Sequence, residues 1–237
     1  MRTPIDKAKI ESTLSEPFSL ENFLSQNEIE FLIDYFETDN NKTYKNTGPV
    51  TSRELRDEFT NISELTNIFD RIKTHIGECK IYTAFMFYTN RPHIIHNDDD
   101  KLFPLTYKAI TIPLKIEYET EDTGYPNLCI FDQYYLDGPS KFFNGSSEIP
   151  SFYNVPLYNY QDVYNKTTSK ISQEMYETYF THLQSRWLNG LSVNSIHTWK
   201  PGNAIVFDAV RLHCASDFNA KGIKKKLGLS IFTAVSN

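Results

Sequence analysis

A chain of 237 residues is long enough to bury one sizeable core, and no shift in composition divides it, so one domain spanning 1–237 is expected. Charged residues at 23% and aromatics at 14% (15 Tyr, 17 Phe, 2 Trp) exclude a disordered chain and supply large side chains for a core and a pocket. With 24 Lys plus Arg against 30 Asp plus Glu, the formal net charge of -6 has no general attraction for a phosphate backbone, which disfavours a nucleic-acid partner.

The opening residues, MRTPIDKAKIESTLSEPF, lack the apolar centre of a secretory signal, and no stretch approaches the roughly 18 apolar residues of a membrane helix. The expectation is a cytoplasmic protein with no membrane partner. Residues 1–79 read as a helical part. Ser25-Gln26-Asn27-Glu28 has the S-x-x-E pattern of a capping box, and Ile29, Leu32, Ile33 and Phe36 follow at helical spacing. A second helical period runs through Leu65, Ile68, Phe69, Ile72 and Ile76 and stops near Gly77.

From Lys80 the pattern becomes strand-like. Ile81 to Tyr88 is rich in aromatic and β-branched residues and closes at Asn90-Arg91-Pro92. Further strands are predicted at Ala109 to Tyr118, Asn127 to Tyr135, Ala204 to Phe207 and Leu227 to Val235, with a helix over Ser172 to Leu183. Between them, about 136–169 carries Gly138-Pro139, Asn144-Gly145, Pro150 and Pro156 without a sustained period. It reads as a long irregular insertion, and loops of that length in a compact domain are usually functional or mobile, a lid being one role open to it. Cys79, Cys129 and Cys214 are odd in number and far apart, so neither a disulfide framework nor a thiolate zinc site is implied. They are expected to be small core residues.

His96 and Asp98 are two residues apart, which on an extended segment points both side chains to one face, where they can share an ion. Imidazole and carboxylate make a mixed N/O donor set that suits iron(II), and two histidines with one carboxylate leave facial positions open. A short H-x-D alone is a weak signal. Its weight comes from order along the chain. After it come strands, then Pro201-Gly202, an apolar strand, and His213, which that strand would deliver inward as third ligand. A basic residue then enters the last strand: alternation along Lys226-Leu-Gly-Leu-Ser230 puts Lys226, Gly228 and Ser230 on one face. A buried lysine needs an anion, a serine hydroxyl adds a donor, and glycine leaves space. Lys224 shares the parity of Lys226 and is an alternative.

Together these features resemble the iron(II)- and 2-oxoglutarate-dependent dioxygenases, from Ser25 to the C-terminus. The resemblance rests on Tyr88…Pro92…His96-Asn97-Asp98, Pro201-Gly202…Phe207…His213 and Lys226…Ser230. It implies a mainly β fold with flanking helices, a double-stranded β-helix (jelly-roll, cupin-like) core over 80–237. It further implies that His96, Asp98 and His213 bind Fe(II) and that Lys226, with Ser230, holds the distal carboxylate of 2-oxoglutarate. Tyr88 is a further candidate for contact with that cosubstrate, Arg211 for an anionic group, and His93 for the mouth of the site. The family more often uses Arg where Lys226 stands, and lysine lacks its two-pronged geometry. A carboxylate at Asp98 favours hydroxylation over halogenation, which needs that coordination position for halide. The implied partners are dioxygen and a small molecule or an amino-acid or peptidyl side chain. Two other readings use the same residues: a jelly-roll metalloenzyme without 2-oxoglutarate, and a non-catalytic β-barrel binding module.

Overall fold

The computed structural model describes residues 8, 11–38, 44–46, 48–55, 58–98, 106–121, 123–135 and 170–235. The insertion expected at about 136–169, and with it the lid, lies outside them.

The N-terminal helices form where their periodicity places them. Helix α1, Gln26–Thr38, starts at the capping box: the Ser25 amide donates to Glu28 Oε2 at 2.8 Å, and the Glu28 amide to Ser25 Oγ at 3.4 Å. Its buried side is Ile29, Leu32 and Phe36. A short turn, α2 (Glu58–Asn61), leads into α3, Ser63–Ile76, which buries Leu65, Ile68, Ile72 and Ile76. Gly77 ends it at φ +83°, a left-handed conformation costly for any residue with a Cβ, and its amide donates to the Lys73 carbonyl at 2.8 Å.

Ten strands follow the chain: β1 Phe18–Leu20, β2 Lys45–Asn46, β3 Val50–Glu54, β4 Cys79–Thr89, β5 Thr106–Tyr118, β6 Asn127–Tyr134, β7 Val193–Thr198, β8 Ala204–Asp208, β9 Arg211–Ala215 and β10 Ile223–Val235. Among the described residues they form an antiparallel seven-stranded sheet, β1-β8-β5-β10-β4-β3-β2, and a three-stranded one, β7-β6-β9. His96 extends the smaller sheet through an isolated antiparallel bridge to His213. The two sheets meet in one apolar cluster drawn from both, with Ala109, Ile205 and Phe207 on one side, Leu128 and Ile130 on the other, and Trp199 between. This arrangement is a jelly roll. The first 79 residues are not purely helical, because β1 pairs with β8 and β3 with β4. Strands of three and five residues carry too little alternation to stand out in sequence.

The long strands have two faces. Ala84, Met86, Tyr88, Leu227, Leu229 and Ile231 pack outward with Leu32, Phe36, Leu65, Ile68 and Ile72 of the helices. Their neighbours in sequence, including Phe85, Phe87, Lys226, Gly228, Ser230 and Phe232, face the interior of the roll. On the outer side of the smaller sheet, Cys129, Phe131, Leu212 and Cys214 are covered by Phe180, Leu183 and Trp187, which follow helix α4, Gln173–Tyr179. No helix among the described residues is long and apolar enough to cross a membrane.

Candidate metal centre

His96, Asp98 and His213 come together although 115 residues separate Asp98 from His213. One donor atom from each lies within 4.8 Å of the others. Asp98 Oδ1 stands 3.6 Å from His96 Nε2, and Oδ2 stands 3.3 Å from His213 Nε2. Nitrogen and oxygen ligands sit about 2 Å from a first-row metal ion, so donors on adjacent coordination positions stand roughly 3 Å apart. The observed spacings fit that arrangement.

Backbone pairing holds the set. The His96 and His213 amides donate to each other's carbonyls at 3.0 and 2.8 Å, and the Asp98 amide donates to the Ala209 carbonyl at 2.8 Å. Tyr82 Oη donates to the Asp98 carbonyl at 3.1 Å. Each imidazole is also oriented: His96 Nδ1 lies 2.8 Å from the Ile94 carbonyl and His213 Nδ1 lies 3.0 Å from the Arg211 carbonyl. A carbonyl only accepts, so each Nδ1 carries the proton. Each Nε2 is thereby the nitrogen left to ligate an ion, the tautomer a metal ligand requires. Burial alone would raise the Asp98 pKa, but in the metal-free site the positive charge of His213 and His96 when Nε2 is also protonated, with the hydrogen bond His213 Nε2–H then donates, outweighs it and holds the carboxyl below its ordinary value. Phe207 backs the His213 ring at 4.6 Å, and the exposed His93 ring lies 4.0 Å from that of His96, at the mouth of the site.

Lys226 is 5% exposed whereas Lys224 is exposed, so only one of the two basic candidates enters the roll. The Lys226 ammonium lies 4.3 Å above the Trp199 ring and 5.1 Å from that of Phe218, and no acidic side chain is paired with it among the described residues. Burial in this aromatic box pushes its pKa down to about 7. Trp199 escaped the sequence reading, although Gly228 is the mark of it. A Cβ on Gly228 would stand 2.8 Å from Trp199 Cζ2 and 3.2 Å from Phe87 Cζ, so the glycine makes room for the indole and not for a ligand. Ser230, half-buried, sits in register between Phe85 of β4 and Thr111 of β5, a second inward hydroxyl that sequence did not single out.

Two secondary candidates go elsewhere. Tyr88 lies on the outer face, where its hydroxyl donates to Glu37 Oε1 of α1 at 2.6 Å and its ring underlies Lys225 Nζ. It does not reach the interior. Burial, then the Glu37 carboxylate, raises its pKa far above the ordinary phenol value. Arg211, the candidate for an anionic group, pairs instead with the buried Asp208, at 3.1 Å. Cys129 and Cys214 face each other across β6 and β9, fully buried, and burial raises the Cys214 thiol well above its usual value, as for inert core cysteines.

No protein-family model matches the sequence, and a search of curated proteins finds no match. The fold does have relatives among solved structures. SnoN, a non-heme alpha ketoglutarate dependent epimerase from nogalamycin biosynthesis, aligns over 97% of this chain and 84% of its own, with a TM-score of 0.50 and 14% identity. EctD from S. alaskensis, solved with 2-oxoglutarate and 5-hydroxyectoine, aligns over 99% of this chain and 77% of its own, with a TM-score of 0.50 and 12% identity. The chain thus has the jelly-roll fold found in 2-oxoglutarate-dependent non-haem iron enzymes, the fold class that the resemblance implied.

Proposed function

We propose that the protein is an iron(II)- and 2-oxoglutarate-dependent oxygenase that hydroxylates a small molecule or an amino-acid or peptidyl side chain. The observation that carries this reading is the convergence of His96, Asp98 and His213 with both Nδ1 protons committed to backbone carbonyls. That donor set suits iron(II) and leaves positions open for further ligands. Lys226 supports the second cofactor: a buried ammonium with no acid paired to it among the described residues is costly unless an anion arrives, and the distal carboxylate of 2-oxoglutarate is such an anion. SnoN and EctD, of the same fold, act with or bind 2-oxoglutarate.

Bound together with dioxygen, iron(II) and 2-oxoglutarate would supply oxidative decarboxylation to succinate and carbon dioxide, with the second oxygen atom going to a substrate C–H bond. The chain's own part is placement. His96, His213 and Asp98 would hold the ion at three positions, with Asp98 taking the one a halide would need, which favours oxygen transfer. Lys226 and Ser230 anchor and orient the cosubstrate. The half-buried rings of Phe85 and Phe232, 6.2 Å apart, adjoin Tyr82 and through it Asp98, forming a wall that keeps bulk water from the reacting side.

Anaerobic addition of Fe(II) and 2-oxoglutarate should produce the visible charge-transfer band of the chelate. His96→Ala and His213→Ala should each abolish it. A wild-type protein without the band, or a band undiminished in both variants, overturns the assignment.

A further inference from the structure

Two of the three proposed ligands hang on one hairpin. Strand β8 ends at Asp208 and β9 begins at Arg211. At the turn, the Ala209 carbonyl accepts the Asp98 amide at 2.8 Å and the Arg211 carbonyl accepts His213 Nδ1 at 3.0 Å. Small changes in this turn would therefore displace a carboxylate and rotate an imidazole together.

The turn is gripped from behind by a buried ion cluster. Asp208, its side chain 2% exposed, accepts from Lys108 Nζ on Oδ1, and on Oδ2 from Arg211 Nε at 3.1 Å and the Ser15 amide at 3.0 Å. Lys108 Nζ donates further to the Thr13 carbonyl at 3.0 Å and Ser15 Oγ at 2.8 Å, and the Arg211 guanidinium donates to the Ser15 carbonyl at 3.2 Å. The carboxylate thus ties together the β8–β9 turn, strand β5 and the N-terminal segment. A buried ion pair adds little net stability compared with apolar residues of the same size, but its geometry is specific and breaking it on one side is costly. A cluster of this kind fixes position more than it stabilises the fold.

We propose that Asp208 is a positioning residue for the metal centre, holding the Ala209 and Arg211 carbonyls where they orient Asp98 and His213. This rests on the metal reading above. Asp208 is not itself a ligand; it acts through the backbone. Partners that orient ligands from outside the coordination sphere are typically worth about 10- to 100-fold in metal affinity.

The test is titration of the apoprotein with Fe(II) alone under anaerobic conditions, at a temperature where far-ultraviolet circular dichroism shows each variant folded. Asp208→Asn should bind about 10- to 100-fold more weakly than wild type. In the apoprotein the nitrogen-15 resonance of His213 Nδ1 should move toward that of an imidazole without a fixed hydrogen bond. Lys108→Met removes one arm of the grip but leaves the Asp208–Arg211 pair that closes the turn, so its metal affinity should fall by less than that of the Asp208 variant. If Asp208→Asn does not fold, Asp208→Glu, which keeps the charge and shifts it by one methylene, should show the same weakening and resonance shift. Folded Asp208 variants with wild-type affinity and an unmoved resonance would sink the proposal, as would Lys108→Met losing as much affinity as the Asp208 variant. Wild type failing to bind Fe(II) would overturn both this and the oxygenase reading, whereas binding unaffected at Asp208 would overturn this one alone.

Discussion

The two faces of the seven-stranded sheet are built from alternate residues of the same strands, yet they are finished differently. Outward, Ala84, Met86, Leu227, Leu229 and Ile231 are fully buried against the helices, and the polar group that intrudes, Tyr88, finds Glu37. Inward, Phe85, Phe87, Ser230 and Phe232 are only half-buried, and among the described residues Lys226 has aromatic rings beneath it and no paired acid. The outer face is closed by burial, each large aliphatic side chain contributing about 1.5–3 kcal/mol. Among the described residues the inner face around Lys226 is less completely covered, and that difference is what the proposed cosubstrate site rests on.

Substitutions at three positions sharpen this contrast. The largest effect is expected at Lys226. In the ligand-free protein its pKa of about 7 makes it charged below that pH and neutral above, while a bound carboxylate requires the charged form. The affinity for 2-oxoglutarate should therefore be flat below about pH 7 and weaken about tenfold per unit above it, until the pKa of the liganded lysine is reached. Lys226→Arg, charged throughout, should flatten the profile. Lys226→Met should weaken binding about 10- to 150-fold at low pH, the worth of one charge-assisted hydrogen bond. Calorimetric titration from about pH 6 to about pH 9 reads all three, and an unsloped wild-type profile would count against Lys226 as the anchor.

An intermediate effect is expected at Gly228. An alanine there would press on Trp199 at 2.8 Å, and overpacking of this sort costs about 1–3 kcal/mol. Gly228→Ala should lower the melting temperature and alter the fluorescence of Trp199, one of only 2 tryptophans. Since Lys226 rests on that indole, cosubstrate binding should weaken as well. The smallest effect belongs to Tyr88. Tyr88→Phe removes the hydrogen bond to Glu37, at a cost of about 1.5 kcal/mol, the low end for a bond to a charged group because Glu37 is exposed. Affinity for 2-oxoglutarate should not change, and a loss of tenfold or more would contradict the outward orientation.

Much of this was legible before the fold. The capping box at Ser25 and the stop at Gly77 depend on local hydrogen bonds and backbone sterics, which short stretches encode in full. Alternation placed Lys226, Gly228 and Ser230 on one face because a strand's period is two whatever surrounds it. The same rule could not place Tyr88. Alternation says which residues of β4 share a face, but not which face the helices cover. For Gly228 the side was right and the occupant wrong, since Trp199 reaches it from a distant loop.

By itself, then, the sequence determined the helix ends, the strand periods and the chemistry of the candidate donors, all properties of residues near one another along the chain. Only the tertiary structure decided their meeting. The pairing of His96 with His213, the anchoring of Asp98 to Ala209 and the aromatic box around Lys226 join segments far apart in sequence. Such contacts follow from how two sheets close on each other, and no local pattern along the chain records them.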